Sequence, residues 1–230
     1  MDVIVEIGPK RCTFARAVDW PGWCRAGRDE AAALAAIDAC RQRYLEAVAR
    51  VHVPPPRGAP DVVERVSGSA VTDFGAMATA ARRDCDAFTD HELDRQIALL
   101  AATWDAFDDA YKAIPDGARR RKPQRGRSAQ EMLDHVVETD LMHLSGITPG
   151  AFRKPRPGCS LDDLRAVRRS ITDALKSVRV GVGYEPARRY GFSWTPRFSL
   201  QRSAWHAIDH AWELADHEQA SSHRQSRGSA

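Results

Sequence analysis

The chain has 230 residues, 43% hydrophobic and 28% charged, and 34 basic side chains against 31 acidic ones leave a formal net charge of +3. That is enough apolar sequence for one large globular domain or two small ones, and the charge is small for the length. No stretch approaches the roughly 20 apolar residues of a membrane span, no basic segment leads into an apolar run at Met1, and Cys12, Cys24, Cys40, Cys85 and Cys159 form no C-x-x-C pair, so the expectation is a cytoplasmic protein with reduced thiols, without secretion or membrane insertion.

The first β-prone runs are Val3 to Glu6 and Cys12 to Val18, separated by Gly8-Pro9-Lys10 as in a hairpin. Asp19 to Trp23 reads as a turn. From Asp29 to about Val51 the chain is Ala-rich and helical, with Asp29 and Glu30 suited to a helix start, and Pro54 to Pro56 ends it. Asp61 to Val66 reads as a strand, followed by a Ser and Gly turn and a short extended piece toward Phe74. The expected N-terminal part, residues 1–85, is thus a small β-β-α-β unit with its own core.

Gly75 to Phe88 shows no clear pattern. Beyond it, Thr89, Ser128 and Ser160 each stand three residues before a carboxylate, the arrangement that satisfies free N–H groups at a helix start. They predict helices over about Asp90 to Ile114, Ala129 to Ser145 and Leu161 to Val178, and a fourth spans about Phe198 to His217. Pro and Gly residues punctuate the gaps. The expected fold class is α+β, the small unit followed by a four-helix bundle over 86–218 and a disordered tail over 219–230. The basic run Arg119 to Arg127 reads as a solvated loop able to attract an anionic co-substrate; without interleaved aromatics it argues against nucleic acid.

The chemistry concentrates on the last helix. His206 and His210 lie one turn apart, so both imidazoles can reach one metal ion, and Glu213 and His217 fall in the same stripe beside the apolar stripe of Trp205, Ile208 and Trp212. A third ligand has to come from elsewhere. The second long helix offers His135 and His143, both near the stripe of Met132, Val136 and Thr139; spacing leaves the choice open, and the more central position favours His135. Asp209 or Glu213 is a candidate to orient an imidazole.

Ser128 to Leu144 together with Ser199 to Glu213, above all the run Ala-Trp-His-x-x-x-His-Ala-Trp-Glu, resembles the DinB/YfiT-like superfamily over roughly Asp86 to Glu218. The resemblance implies a divalent metal, zinc or nickel, held by His135, His206 and His210; its pattern does not require Glu138, Glu213 or His217, and Glu213 or His217 as a fourth ligand would instead make the site a closed, structural one. The resemblance also implies kinship with metal-dependent transferases that use mycothiol or bacillithiol. Phe14 to Leu34 resembles HicB-like modules, which implies an association surface, with Trp20 and Trp23 either an exposed aromatic contact or a packed structural turn; a homodimer is one form such a surface allows. The expected function is activation of a low-molecular-weight thiol for S-transfer to a small electrophile. The competing expectation is a non-catalytic metal-binding or interaction protein that associates through its N-terminal unit.

Overall fold

A computed structural model describes residues 1–123, 126–177, 187–189 and 192–228, with side chains for 1–123, 126–177 and 194–217. The protein is α+β. Strands β1 (Asp2–Ile7), β2 (Thr13–Ala17), β3 (Cys24–Gly27) and β4 (Asp61–Ser67) form one mixed sheet in the order β3-β2-β1-β4. β1 and β2 are the expected hairpin, closed by the Gly8 N–H donating to the Cys12 carbonyl at 2.8 Å. β1 and β4 run parallel, so the chain between them must cross over, and it does so through α1 (Glu30–Ala39) and α2 (Arg41–Ala47).

Four local expectations change. β3 adds a strand to the predicted β-β-α-β order; Cys-Arg-Ala-Gly has no β pattern of its own and is extended by pairing with β2. The predicted single helix breaks at Cys40. The piece before Phe74 is a short helix, α3 (Ala70–Phe74), started by a reciprocal cap between Ser69 and Thr72. A small hairpin of β5 (Ala187–Arg189) and β6 (Phe192–Trp194) precedes the last helix.

The long helices are α4 (Asp90–Ala113), α5 (Ala129–Ile147), α6 (Leu161–Ser177) and α7 (Pro196–Gly228). The predicted starts form as caps: Thr89 accepts from the Glu92 N–H, Ser128 and Glu131 bond reciprocally, and so do Ser160 and Asp163. α7 packs on α4 and α5, and α5 packs on α6. Leu100, Trp104 and Phe107 of α4, Met132, Leu133 and Val136 of α5, Leu164 and Ile171 of α6, and Leu200, Ala204 and Ala207 of α7 share one core. The expected tail of residues 219–230 lies outside the residues whose side chains are described. Among the described residues, no helix is long and apolar enough to cross a membrane.

The sheet does not have a core to itself. Val3, Val5, Ala15 and Ile37 pack in one cluster with Leu99 and Ala102 of α4 and Ile208 of α7, against the expectation of separate cores. The turn at Asp19 to Trp23 is the clamp. The Asp19 carbonyl accepts from Arg95 and Gln96 of α4, and the Val18 carbonyl accepts from Gln201 of α7 at 2.8 Å. Gly22 has φ +89°, and a Cβ there would stand 3.1 Å from the Ala204 carbonyl oxygen, so the turn needs glycine both for its backbone and for its approach to α7. Trp20 and Trp23 are buried against Tyr44, whose hydroxyl donates to the Pro21 carbonyl; they face the interior and offer no exposed association contact.

Candidate metal centre

α5 and α7 run antiparallel along one seam. On α5 the seam carries His135, Thr139, His143 and Gly146; on α7 it carries His210, His206 and Ser199 in the opposite order. These positions are three, four or seven apart, which places them on one helix face. A polar row on the buried side of both helices is the local reason that the core is interrupted there.

The structure brings His135, His206 and His210 together. His206 Nε2 lies 3.1 Å from His135 Nε2 and 3.1 Å from His210 Nε2, and one nitrogen of each ring falls within 4.8 Å of the others. One Nε2 carries either a proton or a lone pair, and two nitrogens at that distance need one proton between them. The arrangement therefore leaves ring nitrogens without satisfied bonds in a half-buried place. Ligands about 2.0 to 2.1 Å from one ion stand about 2.9 Å apart at a right angle and about 3.3 Å apart at a tetrahedral angle, so the two 3.1 Å separations, His206 to His135 and His206 to His210, fit nitrogens facing a common divalent ion.

Electrostatics favour the neutral form of His135 and His206. Burial, then the charges of Arg127 and His210, lowers the His135 pKa to about 4. Burial, then its histidine neighbours, holds His206 well below the usual 6.5. Glu213 Oε2 sits 2.9 Å from His210 Nδ1, so it binds the far nitrogen and fixes the tautomer that leaves Nε2 for the ion; the same bond lowers the Glu213 pKa. His206 Nδ1 is buried without a protein partner.

The other candidates go elsewhere. Asp209 pairs with Arg25 at 3.1 Å. His143 is buried with Nδ1 3.3 Å from Asp140 Oδ1, and its ring stands 6.0 Å from that of His206. Sequence reasoning missed Asp140, which accepts from Ser203 and from Arg168, itself paired with Asp108. This buried network joins all four long helices, and its only sequence signal was charge at core-facing positions of α4, α5 and α6. The basic run is partly tied down: Arg119 lies over Tyr111 and pairs with Asp116, and Lys122 pairs with Glu131, while 124–125 lie outside the described residues. No known protein family, no curated protein and no solved structure matches this chain.

Proposed function

We propose that the chain is a metal-dependent enzyme of the DinB-like kind, its four long helices forming a four-helix bundle, and that it activates a low-molecular-weight thiol, of the mycothiol or bacillithiol type, for S-transfer to a small electrophile. The convergence of three imidazole nitrogens, with His206 Nε2 3.1 Å from His135 Nε2 and from His210 Nε2, carries this reading. His135, His206 and His210 hold the ion, and Glu213 keeps His210 turned toward it. A divalent ion held by these three residues would supply Lewis acidity able to lower the pKa of a bound thiol. The Glu213 bond to His210 Nδ1, away from the clustered Nε2 atoms, supports a role behind the ligand rather than as a fourth one.

Metal analysis of the purified protein, followed by a screen of thiols against model electrophiles with thiol consumption as the readout, tests the reading. One zinc or nickel per chain and metal-dependent thiol consumption are expected. A chain that binds metal but consumes no thiol is the non-catalytic protein, and one that binds no metal refutes the centre itself.

A further inference from the structure

The seam does not stop at the three histidines. Beyond them it holds buried polar atoms that nothing satisfies: Thr139 Oγ1, Ser199 Oγ, Trp194 Nε1, Arg202 Nε and His206 Nδ1. Leaving such an atom buried and unpaired is costly. A group of them in one place is the sign of a site shaped for a polar occupant. Ser199 and Trp194 are neighbours: a Cβ on Gly146 would fall 2.6 Å from Ser199 Oγ and 2.7 Å from the Trp194 ring, and Trp194 stands 5.9 Å from the His143 ring.

Arg202 gives the seam its charge. It lies one turn before His206 on α7, with its guanidinium 4.6 Å over the Trp194 ring. Nη1 donates to the Met77 carbonyl, and Nε is buried without an acceptor. No carboxylate there lies within ion-pair distance. Glu6 is the acid whose charge reaches it, but the Glu6 oxygens already accept from Thr72, Ala78 and Thr79. Burial lowers the Arg202 pKa to about 10, which leaves it cationic at neutral pH.

The geometry points to Arg202 as the anchor for a carboxylate on the small molecule that reacts at the three-histidine centre. The Nε and Nη2 edge presents two parallel N–H groups, which match the two oxygens of a planar carboxylate. Trp194 fixes the plane of the guanidinium, and Ser199 and Thr139 supply hydroxyls along the same seam. This rests on the proposed function for the identity of the centre, and it names the electrophile as a small carboxylic acid.

The test titrates the zinc-loaded full chain with acetate, succinate and benzoate and with the corresponding amides, by calorimetry, beside a zinc determination on the same samples. At least one acid is expected to bind about 10 to 100-fold more tightly than its amide. Arg202→Gln should abolish that preference at unchanged zinc content, and Arg202→Lys should keep part of it. Equal binding of acids and amides, no binding of either, or a preference that survives in Arg202→Gln overturns the inference while leaving the metal centre standing. Failure to bind zinc overturns the centre instead, and the same titrations on zinc-free chain still report on Arg202.

Discussion

At the scale of single residues, the centre is built from three side chains that hold one another's nitrogens at short range and one that stands behind them. His206 is the most deeply placed and touches both partners, so its loss removes the common vertex. His206→Ala is expected to abolish metal binding and any metal-dependent activity together. Glu213→Ala removes only the bond to His210 Nδ1 and is expected to weaken metal affinity by roughly 10 to 100-fold. Metal content by mass spectrometry and a competition titration with a chelating dye would separate the two outcomes, with circular dichroism on the same samples as the control for folding. Full metal content in His206→Ala would refute the site.

At the scale of elements, two features position α5, which carries His135. The first is its N-terminus. The Glu131 pKa is lowered to about 2, chiefly by the Ser128 backbone N–H, then by Lys122 and the Ser128 hydroxyl. A carboxylate depressed in the folded state stabilises it above the unfolded value near 4.5, and that contribution fades as the pH falls toward 2. Glu131→Gln should therefore lower the urea midpoint at pH 7, with the difference from the parent vanishing near pH 2; a difference independent of pH would argue against the charge. The second is the buried network around Asp140. Asp140→Ala leaves Arg168 with one carboxylate partner in place of two and deprives His143 and Ser203 of theirs, so a loss of about 3–5 kcal/mol is expected in chemical denaturation. A loss below 1 kcal/mol would show that water replaces the carboxylate.

At the scale of the whole molecule, the sheet and the long helices are held together through one apolar cluster and a clamped turn. A fragment beginning near Gly75 would bare Leu99, Ala102 and Ile208, all close to fully buried in the intact chain. It is expected to lose cooperative melting and to aggregate. Size-exclusion chromatography and thermal melts would check this. A monomeric fragment with intact helicity that still binds metal would show that the helices fold alone. The burial of Ile208 between His206 and His210 also makes the sheet part of the support for the three-histidine cluster, since it fixes the rotation of α7.

The sequence by itself determined the features that depend on near neighbours along the chain. Caps at Thr89, Ser128 and Ser160, the turn of spacing between His206 and His210, and the Gly8 hairpin are local, because each is closed by groups a few residues apart. The pairing of His135 rather than His143 with that couple was visible only as a preference for the middle of a helix, and the resemblance to DinB-like proteins pointed the same way. Tertiary structure decided what distant segments impose on one another. β3 exists because β2 offers it a ladder, Cys40 breaks a helix that composition would have continued, and Trp20 and Trp23 are interior because α4 and α7 bind the carbonyls beside them. Arg202 carries no signal in spacing or composition, and Asp140 only that of a charge at a core-facing position. Each acquires its character from burial, which makes an uncompensated charge costly and so marks it as placed for a partner, within the chain for Asp140 and outside it for Arg202.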